Sequence, residues 1–405
     1  MRIIVQKYGG TSVASRETRQ MAIEHILDAR DKGYGVVVVV SAMGRQGDSY
    51  ATDTLLSLIE AEDRTNRREL DMLMSCGELI SAVVFASQLR GQGVEATVLN
   101  GGQAGFLTNE EYSRSQILSV NPKRVLEELE QGHVVIVTGF QGWTKDHEIT
   151  TLGRGGSDTS ATALGVALEA EVVDIFTDVE GIMTADPRIV DDAKRLRTVT
   201  YTEICNLAYQ GAKVIHPRAV EIAMQKNIPI RVRSTLTKDE GTLVTAQAER
   251  ERMEATLSDR LVTGITQNAG VTQIKVMAQE SLPNMQLNVF QAMAKNSISV
   301  DLINVSPTGV AYTVADRDAE YAKRCLEELG YEPKLLPGCS KVAVVGGGIA
   351  GTPGVMAQVL EALAPEGVEI LQFADSHNTL WCLVRGGDMK RAVRALHNKF
   401  KLHTL

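Results

Sequence analysis

The chain has 405 residues, with 42 basic and 50 acidic side chains, a net charge of −8 and a pI near 5.5. That length fits two to four domains of roughly 100–200 residues, and the acidic balance excludes a binder of nucleic-acid backbones, which needs a basic face. Its five cysteines are odd in number and form no C-x-x-C pair, so neither a disulfide framework nor a zinc site is expected from them, and a reducing cytoplasm fits.

The first residues, "MRIIVQKYGGTS", read as an apolar strand that ends in Lys7 and runs at once into an aromatic, two glycines and two hydroxyls. No basic region followed by a long apolar core is visible there, so no signal peptide is expected. The helical pattern "RETRQMAIEHILDARDKG" follows, then the strand "GVVVVVSA". Its valine run at 36–40 is far short of the ~20 residues that span a bilayer, so no membrane partner is expected. A polar loop, "MGRQGDSYATDT", leads to a long helical stretch at 68–89. "EATVLN", "HVVIVTGF" and "VVDIFTDV" are further strands with helical segments between them. Continuous apolar strands separated by helices predict an α/β fold with a mostly parallel sheet covered on both faces.

At 245–259 the text turns charged and polar, "TAQAERERMEATLSD", which predicts a linker and a domain boundary. Beyond it a shorter pattern repeats. "NVFQAMAKNSISVDLI" and "QVLEALAPEGVEIL" align at an offset of 70 residues, as do "DAEYAKRCLEEL" and "DMKRAVRALHNK". Two blocks that share one offset predict a duplicated module, each copy reading strand, helix, strand, strand, helix, strand in the ferredoxin-like order.

Four stretches carry candidate chemistry. After a strand, Gly9 and Gly10 let backbone N–H groups approach a phosphate, and Lys7 supplies positive charge; the same residues also suit a tight turn with a solvated lysine. In "TTLGRGGSDTSATALGVAL", three glycines surround Arg154, and Ser157 and Asp158 open an apolar helix whose N-terminus attracts anions. In "IFTDVEGIMTADPRIV", Thr177 and Asp178 end a strand, where α/β sheets bind ligands, and Asp186-Pro187-Arg188 follows. "YQGAKVIHPRAV" places Lys213 and Arg218 near another helix start.

Three familiar nucleotide signatures do not apply. The G-x-G-x-x-G at Gly346, Gly348 and Gly351 has too little chain after it for a doubly wound domain. There is no Gly-Lys dipeptide for a P-loop, and the H-R-D and D-F-G signatures of protein kinases are missing.

"KYGGTS", "SAMG", "SCGE", "TTLGRGGSD", "FTDVEGIMTADPR" and "GAKVIHPRA", in this order, resemble the amino-acid kinase family, and within it the aspartate kinases. The likeness runs along essentially the whole chain, includes two C-terminal ACT-type repeats, and is greatest to the diaminopimelate-sensitive branch of bacilli. It implies an amino-acid kinase domain at 1–245, a linker at 246–260, a first ACT-like module at 261–338 and a second at 339–405. The implied reaction is ATP-dependent phosphorylation of the L-aspartate β-carboxylate to 4-phospho-L-aspartate, with Mg²⁺, as the first step toward lysine, diaminopimelate, threonine and methionine. By the same resemblance Lys7 stabilises the phosphoryl group in flight and Asp158 orients the lysines. Gly9, Gly10, Thr177, Asp178, Met183, Arg188 and Lys213 bind ATP, while Thr52, Glu78, Arg154 and Ser157 hold aspartate.

The chemistry agrees: a β-carboxylate with a pKa near ~3.9 is ionised at neutral pH and needs no general base, only positioning and charge stabilisation. Of the seven histidines, only His216 lies inside one of these motifs, and it reads as structural. ACT modules imply pairing between subunits, hence a homo-oligomer, and an amino-acid effector. Asn304-Val305-Ser306-Pro307 departs from the Gln-Asn of lysine- and threonine-inhibited enzymes, which argues against lysine or threonine as effector, and the likeness to the bacillar branch implies meso-diaminopimelate. Two other readings stand beside this one: the same fold acting on glutamate, N-acetylglutamate or a nucleoside monophosphate, and an amino-acid-sensing regulator with a dead kinase domain.

Overall fold

The computed structural model describes residues 1–60, 66–212, 214–246, 261–279, 284–349 and 351–404. The chain divides into two compact units: Met1–Ile182, Arg195–Ala208 and Lys213–Leu257 form the first, and Met183–Lys194, Tyr209–Ala212 and Ser258–Leu405 form the second.

In the first unit the apolar runs become strands: β1 (Arg2–Tyr8), β2 (Tyr34–Val40), β3 (Ala96–Leu99), β4 (Phe106–Thr108), β5 (Ile117–Val120), β6 (Val134–Thr138), β7 (Gln141–Trp143), β8 (Ile149–Thr151), β9 (Val172–Thr177), β10 (Thr198–Thr200), β11 (Ile230–Ser234) and β12 (Thr242–Thr245). Eight of them form one sheet in the order β10-β12-β11-β9-β1-β2-β6-β3, and β5-β4-β7-β8 form a small second sheet. In the large sheet β11 and β12 run antiparallel and the other neighbours are parallel. The interleaved helices are α1 (Gly10–Val13), α2 (Arg16–Asp31), α3 (Thr52–Leu56), α4 (Arg67–Arg90), α5 (Lys123–Glu130), α6 (Gly156–Ala167), α7 (Tyr201–Tyr209) and α8 (Pro217–Met224).

The strand period of two sorts the side chains. Ile4, Tyr8, Val36, Val38, Val40, Ile136 and Phe176 share one core with Ile23 and Ile26 of α2 and Phe85 and Leu89 of α4. Lys7 lies one residue out of phase and so projects to the opposite face of the sheet. α4 has 24 residues and passes for a membrane span by length and composition, yet it places Asp71, Glu78, Phe85 and Leu89 in the interior of this unit. It is a core helix.

The second unit contains β13 (Gly264–Met277), α9 (Met285–Lys295), β14 (Asp301–Ser306), β15 (Gly309–Ala315), α10 (Asp316–Glu327), β16 (Lys334–Val345), α11 (Val355–Leu363), β17 (Gln372–Asp375), β18 (Thr379–Arg385) and α12 (Met389–Lys399). Its six strands form one sheet, β14-β15-β13-β16-β18-β17.

The duplicated modules are present, but they interlock. The first copy is complete from β13 to β16. The second lacks the final strand expected after its last helix: among the described residues, α12 is followed only by a short 3₁₀ turn, Leu402–Thr404. The first half of β13 takes that place. Gly264 to Ala269 pair with Val345 to Ser340 of β16, and a bulge at Ala269–Val271 separates them from the half that serves the first module. Ile265 accordingly packs with Val342, Val359 and Leu380, while Ile274 packs with Val289 and Tyr312. A boundary at 338/339 therefore divides β16, which both modules share.

The stretch 183–194, expected within the first domain, belongs to the second unit for a similar reason. Ala185, Ile189 and Val190 are buried with Val262, Val344 and Leu396, and Arg394 donates to the Ile189 carbonyl at 2.7 Å. The expected linker at 246–260 lies outside the described residues apart from its first position.

Candidate active site

The parallel strands β1, β2, β6 and β9 end side by side, and the candidate residues gather on that carboxyl edge, where an α/β sheet offers its ligand crevice. Lys7 is paired in register with Val39 of β2 and Ile175 of β9. Its Nζ lies 2.7 Å from Oδ1 of Asp158, with both side chains about seven-eighths buried. The other Asp158 oxygen accepts the backbone N–H of His216 at 3.3 Å. Asp158 thus holds the lysine on one side and is held on the other. His216 caps α8 and its Nδ1 accepts from the Arg218 N–H, a structural role.

Gly10 shows why bare backbone follows the lysine. A Cβ there would lie 2.5 Å from the Gly44 carbonyl oxygen and 2.8 Å from that of Ala42, and Gly10 accepts a bond from the Gly44 N–H at 2.9 Å. The turn after β1 and the loop after β2 are therefore pressed backbone to backbone. That loop in turn donates the Ala42 N–H to Oε1 of Glu78 at 3.1 Å. Glu78 is 2 % exposed, its Oε2 has no hydrogen-bond partner, and burial pushes its carboxyl up to about 8. An unpaired carboxylate oxygen in the interior is costly unless a cation reaches it.

The second glycine-rich stretch forms α6 as expected. Its N-cap, Gly155, has φ 69, and a Cβ there would meet the His216 ring at 2.2 Å. The tight turn brings Ser157 to the site, beside Gly139 at the end of β6, where a Cβ would lie 2.8 Å from the serine oxygen. Arg154 stands on the same loop, exposed, with no ion-pair or hydrogen-bond partner among the described residues. On β9's end the Thr177 hydroxyl donates to Asp178, and the Thr177 carbonyl accepts from Thr235. Thr52 opens α3, close after Tyr50, whose carbonyl packs on α4 against Gly77, the neighbour of Glu78.

Lys7, Gly9, Gly10, Glu78, Arg154, Ser157, Asp158, Thr177 and Asp178 thus all stand in the first unit; Gly10 and Glu78 are linked through Ala42 and Gly44, Ser157 meets Gly139, and Asp158 meets His216. Met183 and Arg188 belong to the second unit, where Arg188 makes a two-pronged pair with Asp186 at 2.8 and 3.0 Å. Lys213 lies outside the described residues.

The site has members that sequence reasoning did not single out. Arg45 makes an exposed ion pair with Asp178 across the crevice edge. The Ser12 hydroxyl meets that of Thr235 at 2.6 Å. Asp71 is fully buried and accepts four bonds, from the Ser113 N–H (2.9 Å) and hydroxyl (3.1 Å) and the Thr151 N–H (2.7 Å) and hydroxyl (2.8 Å). It pins β8 just before the Arg154 loop. The spacing of seven from Asp71 to Glu78, two turns of one helix face, was the signal available for it.

The catalytic chemistry such an arrangement supports has counterparts among known proteins. Residues 2–234 match the amino acid kinase family, and residues 335–398 match the ACT domain. Aspartokinase 1 of Bacillus subtilis (strain 168) is 54% identical over 403 residues, covering 99% of this chain and 100% of its own. The aspartokinase of Geobacillus stearothermophilus is 39% identical, covering 99% of this chain and 98% of its own. E. coli aspartokinase III in complex with aspartate and ADP (R-state) is similar with a TM-score of 0.80 at 28% identity, covering 98% of this chain and 99% of that one. The structure of E. coli aspartokinase III with lysine and aspartate (T-state) is similar to the same degree, TM-score 0.80 and 28% identity, over 99% and 100% of the two chains.

Proposed function

We infer the work of this site from one premise: the chain belongs to the amino acid kinase family, and within it to the aspartokinases. The enzyme phosphorylates L-aspartate with ATP, and its ACT modules put that reaction under allosteric control. One observation carries the assignment of residues: the unpaired, buried carboxylate oxygen of Glu78, suited to the ammonium of an unblocked amino acid, whose α-carboxylate the exposed Arg154 is free to take.

On this reading Glu78 takes aspartate's α-ammonium, Arg154 and Ser157 take its α-carboxylate, and Thr52 closes on the substrate. The β-carboxylate, already an anion, attacks the γ-phosphorus, the bond to the ADP oxygen breaks, and 4-phospho-L-aspartate forms. Bringing an anion up to a polyanion is the main barrier. Lys7, locked by Asp158, neutralises charge on the moving phosphoryl group, and the backbone N–H groups at Gly9 and Gly10 face its oxygens. Thr177, Asp178, Met183, Arg188 and Lys213 serve ATP.

The bare Gly9–Gly10 turn and the paired lysine fit a triphosphate, and Mg²⁺, held largely by phosphate oxygens and water, supplies further charge neutralisation there. The five free cysteines suit a cytoplasmic setting.

For control, the effector is meso-diaminopimelate. A cavity of 490 Å³ in the second module, lined by Gly351, Gly354, Phe373, Asp375 and Ser376, has the size and mixed polarity for an amino acid. Exposed Ile303 and Val305 on the edge strand β14 support pairing of modules in a homo-oligomer.

The test is ATP turnover with hydroxylamine, which traps an acyl phosphate as its hydroxamate. Signal with L-aspartate, but not with L-glutamate or N-acetyl-L-glutamate, and lost in Lys7→Ala, supports the reading. Signal with another acceptor replaces the substrate, and none from folded protein makes the chain a regulator.

A further inference from the structure

Three potential metal ligands that play no part in the kinase chemistry converge in the second unit: Asp192, His397 of α12 and His403 of the terminal 3₁₀ turn. One donor atom from each lies within 4.8 Å of the other two. His397 is fully buried, and its Nδ1 is 3.9 Å from Oδ1 of Asp192.

The histidines themselves point to a ligand. Nε2 of His397 is satisfied by the Thr184 hydroxyl at 2.9 Å. Nδ1 of His397 and Nδ1 of His403 are both shielded from solvent and neither has a hydrogen-bond partner. Such atoms are rare in a folded protein, because each forfeits its bond to water. A swing of Asp192 toward His397 would satisfy one of them and leave the other orphaned. A cation between the three satisfies Nδ1 of His397, takes a ring nitrogen of His403 as ligand and neutralises the carboxylate.

We propose that Asp192, His397 and His403 form a binding site for a divalent transition metal of the zinc class, with water in the fourth position. Imidazole and carboxylate ligands suit that class, and tetrahedral bonds of about 2.0–2.2 Å place ligand atoms about 3.3 Å apart. The half-exposed Asp192 and the terminal-turn His403 need to close in by up to about 1.5 Å. Thr184 does for His397 what outer partners do in metal sites: it bonds the ring's other nitrogen and fixes its orientation. The cysteine pattern gave no hint of the site, since no cysteine takes part. The metal's role is a clamp. Asp192 lies on the 183–194 stretch, which also meets α12 through Arg394, so metal joins that stretch to the C-terminal helix.

The test uses the full chain, treated with chelator and free of nucleotide. Titration with Zn²⁺ by calorimetry is expected to give one equivalent of binding and a raised Tm, and Co²⁺ is expected to give the intense visible bands of a tetrahedral site. His403→Ala and Asp192→Asn, both at accessible positions, are expected to weaken Zn²⁺ binding at least about 10-fold and to abolish the Tm rise. His147→Ala, an exposed histidine of the first unit, is the control that leaves binding unchanged. Absence of binding at micromolar Zn²⁺, or binding that His403→Ala and Asp192→Asn leave intact, overturns the proposal.

Discussion

At the residue scale the site is a set of charges whose partners are either fixed or missing. Lys7 is fixed, by Asp158 at 2.7 Å. Lys7→Ala is expected to lower kcat in the hydroxamate assay by about 10²–10³-fold, the loss usual for one preorganised electrostatic group. Glu78 has one oxygen without a partner, and its carboxyl is raised to about 8 because it is buried. In the empty site it takes up a proton as pH falls through that value, while an ammonium binds only its ionised form. KM for aspartate is therefore expected to be flat above about pH 8 and to climb toward about tenfold per unit below it. Glu78→Gln is expected to raise KM and remove this dependence; a wild-type KM flat from pH 6 to 9 would contradict the assignment.

At the scale of elements, stability and site geometry meet on α4. Its Asp71 ties down Ser113 and Thr151 with both oxygens, and Thr151 ends the strand that leads into Gly153 and Arg154. Asp71→Ala leaves the buried Thr151 N–H, the half-buried Ser113 N–H and two hydroxyls without this partner, and a loss of about 3 kcal/mol is expected in denaturant unfolding. Asp71→Asn can keep its oxygen on the N–H groups and offer its amide to the hydroxyls, so its loss is expected to be about 1 kcal/mol. The start of α6 is equally constrained. Gly155→Ala puts a side chain at φ 69 and into the ring of His216, the residue whose backbone N–H holds Asp158. It is expected to cost about 1–2 kcal/mol in backbone strain and to lower kcat, since His216 must shift.

At the scale of the whole molecule, the two C-terminal modules are built on shared strands. β13 and β16 each serve both modules, and Gln372 of β17 donates to the Leu302 carbonyl of β14 while its oxygen accepts from Gln273 of β13 at 2.8 Å. An effector that moves one module therefore strains hydrogen bonds of the other, which is the kind of two-state element that coupling needs. In a dose–response series of the full-length enzyme, meso-diaminopimelate is expected to inhibit aspartate phosphorylation where lysine and threonine do not. Asp375→Ala, in the 490 Å³ cavity, is expected to raise the required concentration about tenfold with kcat unchanged in its absence.

The sequence by itself determined the parallel sheet, the doubled C-terminal module and which residues are candidates for the site. Each depends on local chemistry: runs of valine, a fixed 70-residue offset, and glycines where backbone must come within 3 Å of backbone, as at Gly10. Only the tertiary structure decided who holds whom. Nothing near Glu78 in sequence reveals that its Oε2 faces no donor, and nothing near Asp71 names Ser113 and Thr151, 42 and 80 residues away. The loan of β13's first half to the second module, and of 183–194 to the second unit, were equally hidden. A strand's pattern states that it is buried, not which neighbour buries it, and that choice is made by packing across the whole chain.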